Sequence, residues 1–165
     1  MSRAVLSLGS NLGDRAAHLR AAVAGFADVL VAVSPVYETA PWGVTDQPDF
    51  LNAVLIVSDE DADEWTWLRR GQALEQAAGR VREQRWGPRT LDVDVVTVDG
   101  VRSDHPDLVL PHPGTAERAT VLIPWLDVEP DAVVPGQGSA RELLARLDTA
   151  GVRARPDIDL RGAAG

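Results

Sequence analysis

The chain has 165 residues, 45% of them hydrophobic and 25% charged, with a formal net charge of −9. That length and balance predict one globular domain over residues 1–165 with a real core, and no apolar run approaches the roughly 18 residues of a membrane span. There is no cysteine, and all 16 basic residues are arginine, so disulfides, thiolate catalysis, Schiff-base chemistry and the lysine-dependent phosphate loop are excluded.

The acidic balance opposes a general nucleic-acid binder, which carries a basic surface. The chain enters an apolar segment at once, with no leader of signal-peptide form. A cytoplasmic monomer acting on small molecules, with no membrane or nucleic-acid partner, is the expectation.

In chain order, Arg3 to Leu8 is a short apolar strand, followed by a turn at Gly9-Ser10-Asn11-Leu12-Gly13-Asp14. Leu12, Leu19, Val23, Phe26 and Leu30 recur at helical spacing, predicting an amphipathic helix that ends near Asp28. Val29 to Val36 is the next strand, closed by Pro35, with Tyr37 to Gly43 as a loop; Asn52 to Val57 is a third strand. The acidic run Asp59 to Glu64 suits a helix N-terminus, where the macrodipole favours negative charge. The helix that follows sets Trp67, Gly71, Leu74 and Ala78 on one stripe and Leu68, Gln72, Glu75 and Gly79 on the next.

Leu91 to Val98 alternates with the period of a strand, so Asp92 and Asp94 share one face while Leu91, Val93 and Val95 take the other. Through Val98 the order is strand, helix, strand, strand, helix, strand. This is the ferredoxin-like βαββαβ plan, an antiparallel sheet with helices on one face. Asp99-Gly100 is a hairpin signal that predicts a further strand on the sheet. Pro106 to Pro113 reads as irregular, Ala119 to Leu126 as apolar, and Ser139-Ala140-Arg141-Glu142 as a capping box opening a last helix to Leu147. The tail from Ala150 to residue 165 is rich in Gly, Arg and Pro and is expected to be poorly ordered.

The chemistry concentrates between Arg80 and Asp94. Four arginines (Arg80, Arg82, Arg85, Arg89) precede the two aspartates, with Trp86-Gly87-Pro88 as a stiff turn between them. Adjacent carboxylates offer hard oxygen ligands suited to Mg²⁺, and guanidinium groups complement phosphate through planar, bidentate hydrogen bonds. An Asp-x-Asp pair alone also suits the solvated face of an edge strand. The neighbouring arginines favour a site for a metal–polyphosphate complex.

Arg85-Trp86-Gly87-Pro88-Arg89-Thr90-Leu91-Asp92-Val93-Asp94-Val95-Val96 resembles the signature of the 6-hydroxymethyl-7,8-dihydropterin pyrophosphokinases. The resemblance extends in register to Leu8–Asp14, to Asp46–Asn52, to Pro111-His112-Pro113, and through Glu117-Arg118 to Pro124, and so covers nearly the whole chain. It implies a three-layer α/β/α pyrophosphokinase fold: a ferredoxin-like core with extra strands and a C-terminal helix. It implies transfer of pyrophosphate from ATP to the hydroxymethyl oxygen of a reduced pterin in folate biosynthesis, with release of AMP.

By the same resemblance, Asp92 and Asp94 hold two Mg²⁺ ions, and Arg80 and Arg82 belong to a mobile catalytic loop that closes over the nucleotide. Arg89 and Arg118 match phosphate ligands, His112 a nucleotide contact, and Gln72 and Glu75 polar contacts on the ATP side. Thr39, Ala40 and Trp42 match the loop that reads the pterin ring edges, Asn52 a hydrogen-bonding amide, and Phe50 a stacking ring. The chain departs from the family at Thr120, where an aromatic usually covers the second pterin face. An RNA-binding ferredoxin-like module is the rival of another class. It requires aromatic strands and a basic face, and the strands here are aliphatic on an acidic chain.

Overall fold

The computed structural model describes residues 2–40, 48–79 and 90–160. The strands are β1 (Ser2–Ser10), β2 (Leu30–Val33), β3 (Tyr37–Thr39), β4 (Phe50–Asp59), β5 (Asp92–Val98), β6 (Ser103–His105), β7 (Leu108–Leu110), β8 (Val133–Val134), β9 (Gly138–Ser139) and β10 (Val152–Ala154). The helices are α1 (Arg15–Gly25), α2 (Glu64–Ala77), α3 (Ala119–Val128) and α4 (Ala140–Leu144), with a 3₁₀ turn at Thr115–Glu117.

The main sheet is antiparallel, in the order β10-β3-β4-β1-β5, with β2 also on the outer side of β4. β1 lies at its centre, paired with β4 from Ser2↔Asp59 to Ser10↔Leu51 and with β5 from Ala4↔Val98 to Gly9↔Asp92. Alternation along these strands sends two sets of side chains to two cores. Leu6, Leu8, Leu55, Val93 and Val95 pack with Leu19, Val23 and Trp67 of α1 and α2. Val5, Val54, Ile56 and Val96 pack with Val121, Leu122, Trp125 and Ala140 of α3 and α4. Helices therefore cover both faces, where the βαββαβ order alone predicted one. A bulge opposite Val5/Leu6 returns Val98 to the α1 and α2 side with Val95, where unbroken alternation from Val96 would leave it toward α3.

Local chemistry explains the element ends. Asp14 accepts from the Ala17 amide at 3.1 Å and caps α1, which ends at Gly25, three residues before Asp28. Asp63 and Thr66 form a reciprocal capping box at α2, the expected meaning of the acidic run. The buried Trp67 donates its indole N–H to Ser2 Oγ at 2.8 Å and so fastens α2 to the start of β1.

Several expectations are corrected. Tyr37–Thr39 is a strand rather than a loop: Pro35 breaks the edge, and the chain rejoins β4 one step on, with Ser34 Oγ accepting from the Val54 amide at 2.8 Å. The Asp99-Gly100 turn does not lengthen the main sheet. It closes a single bridge, Val98↔Val101, and β6 and β7 then form a separate hairpin, β7 lying within the stretch read as irregular. The last helix is shorter than expected and ends at Leu144. Within the tail, Val152–Ala154 pairs with β3 as β10.

Tyr37 points to the α3 side, and its hydroxyl donates to Asp127 Oδ2. Burial first, then the Asp127 carboxylate, push its phenol up to about 12. A raised folded-state value contributes stability below the unfolded value of about 10 that is lost as pH rises through about 12. Tyr37 is the only tyrosine, and there is no lysine or cysteine to overlap it. Phenolate absorbance should therefore report one late transition, which Asp127→Asn moves down toward 10. A wild-type midpoint already at 10 would show that the contact does not persist in solution.

Candidate active site

The register of β1 builds a cross-strand row. Asp92 lies opposite Gly9, Gly9 opposite Asn52, and Asn52 opposite Tyr37. Asp94, Ser7 and Val54 form the row beside it. Residues two apart share a face, so Asp92, Asp94, Asn52, Phe50, Thr39 and Tyr37 all lie on the α3 side of the sheet. Neighbouring strands are about 4.8 Å apart, so Asp92 and Asn52 stand roughly 10 Å from each other across β1. Gly9 has no side chain to fill that interval. A Cβ there would meet Asn52 Oδ1 and Phe50 Cδ1 at 3.6 Å.

One wall of this hollow is carboxylate. Asp92 and Asp94 are half-buried on the edge strand β5, and Asp94 Oδ1 is 3.6 Å from His112 Nε2. The His112 amide donates to the Val96 carbonyl at 2.8 Å, which fixes the ring beside β5. His112 Nδ1 lies 3.0 Å from the Pro113 carbonyl. A carbonyl only accepts, so Nδ1 carries the proton and a neutral ring leaves Nε2 as an acceptor facing Asp94. Burial is the main cause that holds the His112 value below the ordinary one, with the Arg118 charge adding to it against the Pro113 hydrogen bond and Asp92. His112 and Arg118 come together because a tight turn joins them. Thr115 Oγ1 donates to the His112 carbonyl at 2.7 Å, and the Arg118 guanidinium lies over Gly114, whose φ is +81°.

The opposite wall is an amide with an aromatic ring. Asn52 Nδ2 donates to Thr39 Oγ1 at 2.9 Å, which orients the amide and leaves its oxygen toward the hollow's Gly9 side. Thr39 is buried, Phe50 and Asn52 are half-buried, and Ala40 at the end of β3 is exposed. Among the described residues, no group of three or more His, Cys, Asp or Glu side chains is arranged to hold a metal alone. Two carboxylates fit Mg²⁺, which completes its shell with water and phosphate oxygens rather than with a protein cage.

Gln72 and Glu75, read as neighbours on one stripe, part company. Gln72 is exposed, whereas Glu75 is only 4% exposed and shares the buried stripe with Trp67 and Gly71. Glu75 Oε2 accepts the Val93 amide at 2.8 Å, on the outer edge of β5 between the two aspartates. Gly71, one turn earlier, allows this approach: a Cβ there would lie 2.9 Å from Val93 Cγ1. Arg80, Arg82, Arg89 and Trp42 lie outside the described residues. Sequence reading missed Asn11 and Arg15, which tie the segment before Phe50, because their partners are main-chain carbonyls far along the chain.

An antiparallel α+β sheet whose open face sets paired carboxylates and a neutral imidazole against an amide-and-ring wall suits one class of enzyme. It is the class that handles an anionic, metal-bound group beside a flat polar ring. The model of the 7,8-dihydro-6-hydroxymethylpterin-pyrophosphokinase (HPPK) family matches residues 5–130. The chain is 49% identical over 176 residues to the 2-amino-4-hydroxy-6-hydroxymethyldihydropteridine pyrophosphokinase of Mycobacterium tuberculosis H37Rv, covering 97% of this chain and 94% of that one. It is 39% identical over 160 residues to the enzyme of that name from Pseudomonas aeruginosa, covering 94% and 98%. The chain therefore belongs to the HPPK family.

Among solved structures, Plasmodium falciparum wild-type HPPK-DHPS with pteroate superposes with a TM-score of 0.67 at 12% identity, over 87% of this chain and 44% of that one. An HPPK-DHPS in complex with substrates gives 0.67 at 11% identity, over 87% and 43%. The chain thus spans less than half the length of these structures, and the likeness shows a shared fold.

Removing the acceptor of a buried amide costs about 1–3 kcal/mol, so Glu75→Ala should lower stability in urea by that amount. Glu75→Gln keeps a carbonyl oxygen for Val93 and should lose less. Equal losses would mean that the carboxylate charge, rather than the hydrogen bond, is what counts.

Proposed function

We propose that the chain transfers the β,γ-pyrophosphoryl group of ATP to the hydroxymethyl oxygen of 6-hydroxymethyl-7,8-dihydropterin. Family membership makes it a pyrophosphokinase of folate biosynthesis. The observation that carries the reading at residue level is the hollow over Gly9, with Asp92 and Asp94 on one side and Phe50, Asn52 and Thr39 on the other. The two walls stand roughly 10 Å apart across β1, with polar groups of different chemistry on each. The hydroxymethyl oxygen forms a bond to the β-phosphorus, the bond from β-phosphorus to the α,β-bridging oxygen breaks, and AMP leaves with that oxygen while the hydroxyl loses its proton.

Asp92 and Asp94 are the residues to hold two Mg²⁺ ions, which when bound supply charge neutralisation on the triphosphate. His112 offers Nε2 to the nucleotide side, and Arg118 a guanidinium beside it. Gln72 is proposed as a polar contact on the ATP side, whereas Glu75, buried behind β5, serves that wall by holding the strand. Arg80, Arg82 and Arg89 are proposed as further phosphate ligands, on a loop whose closure excludes water. Asn52 reads the pterin edge through its amide, Phe50 stacks on the ring, and Thr39, Ala40 and Trp42 complete that wall. The strand order β5-β1-β4-β2 supports a ferredoxin-like core to which β3 and β10 are additions. A single chain supplies both walls, which supports one domain acting as a monomer. A cysteine-free sequence and the absence of any long apolar helix among the described residues fit a cytoplasmic enzyme.

Incubation with MgATP and the pterin should yield AMP; ADP or no nucleotide product would overturn the reading. Asp92→Asn and Asp94→Asn should each lower kcat at least ~100-fold, about 2.7 kcal/mol of transition-state stabilisation, with thermal unfolding little changed. Normal turnover in both would refute the metal assignment.

Gly9→Ala offers an independent check. Its methyl would meet neighbours at ordinary contact distance, 3.6 Å and beyond, so the variant should fold as the parent does. It would fill the floor of the hollow, and activity should fall by at least ~10-fold, about 1.4 kcal/mol. Full activity would place the substrates elsewhere.

A further inference from the structure

Behind the amide-and-ring wall, on the opposite face of β3 and β4, lies an ion network that the reaction itself does not use. Glu38 sits between Tyr37 and Thr39 and so points away from both. Its Oε2 accepts from Arg15 Nη1 at 2.6 Å, and its Oε1 accepts from Arg153 Nη2 at 3.1 Å and lies 3.2 Å from Arg155 Nη1. Burial raises the Glu38 value, but the three guanidinium groups outweigh it and hold the carboxyl below its ordinary range.

The same arginines reach the segment that enters β4. Arg15 Nη1 donates to the Asp49 carbonyl at 2.8 Å, and Arg153 Nη2 to Asp49 Oδ2 at 2.8 Å. The buried Asn11 donates to the Pro48 carbonyl at 3.0 Å. Both carbonyls immediately before Phe50 are thus tied down. From the outer edge, β10 pairs Arg153 with Glu38, and the Arg155 amide donates to the Val36 carbonyl at 2.8 Å. Among the described residues, Glu38 is the one side chain that all three arginines share.

We propose that Glu38 is a positioning residue for the pterin wall. Through Arg15 and Arg153 it sets the backbone from which Thr39, Phe50 and Asn52 project, without touching the pterin. The inference rests on the assignment of that wall to the pterin. It separates the two halves of the site: the carboxylate wall on β5 is held by β1, Glu75 and His112, whereas the network binds β3, β10 and the segment that enters β4. Loss of Glu38 should therefore loosen the wall for pterin and leave the wall for MgATP in place.

Steady-state kinetics of Glu38→Gln, with Asn52→Ala as comparator, tests this. Glu38→Gln keeps the shape but leaves three guanidinium groups around a neutral acceptor. The pterin KM should rise about 10-fold, with the ATP KM within about twofold and kcat within about threefold of the parent, and Glu38→Asp should recover part of the loss. Should Glu38→Gln not fold, Arg153→Ala decides: its side chain is 60% exposed, and it should raise the pterin KM about threefold. If Asn52→Ala raises the pterin KM and the network variants do not, the positioning role is wrong. If both KM values rise together with a loss of thermal stability, Glu38 is merely structural. If Asn52→Ala also leaves the pterin KM unchanged, it is the assignment of the wall to pterin that fails.

Discussion

Everything at this site depends on the register of one strand. β1 is hydrogen-bonded on both sides, and its pairing with β4 and β5 sets Gly9 between Asn52 and Asp92. Strand side chains alternate, so a slip of one residue would turn Asp92 and Asp94 toward Leu19 and Trp67 and bring Leu91 and Val93 into the hollow. The apolar complement on both faces forbids that slip. Leu6 and Leu8 face one core and Val5 the other, and each is at most 1% exposed. The cores thus fix the site's geometry by making every other register costly.

The two faces divide the labour. The α1 and α2 side carries the larger apolar cluster and the bracing contacts: Glu75 on the edge of β5, and Arg15 with Glu38 behind β3. The α3 side carries a smaller cluster and, beyond its end, the open rows of polar side chains. Polar groups serve both faces but differ in kind. On the bracing side the polar bonds join one part of the chain to another, as Glu75 joins Val93 and Arg15 joins Asp49. On the open side the Asp92 and Asp94 carboxylates are half-buried, and the neutral His112 ring leaves its second nitrogen facing them.

Much of this was legible in the residues. The alternation around Asp92 and Asp94 gave their shared face, and the acidic run gave the N-terminus of α2. Motifs in register along the chain carry the resemblance to the family. What was not legible depends on distances along the chain. Glu75 was read as a neighbour of Gln72 on the ATP side because helical spacing gives its stripe but not the depth at which that stripe meets β5. β3 was read as loop because Pro35 masks a strand only three residues long. The arginine network stayed hidden because Glu38 and Arg153 are separated by 115 positions, and only the pairing of β10 with β3 brings them together. The placement of β10 itself follows from no local pattern in a Gly- and Arg-rich tail.

The outer margins of the sheet carry one more consequence. Along β5, Glu75 takes the Val93 amide and the His112 amide donates to the Val96 carbonyl, so two main-chain groups of this edge strand are already engaged. At the far margin β10 is three residues long and centres on a charged arginine. A second polypeptide looking for an unpaired strand to extend finds neither margin inviting. The bonds that brace the candidate site thereby also guard an acidic, aliphatic-stranded chain against edge-to-edge self-association.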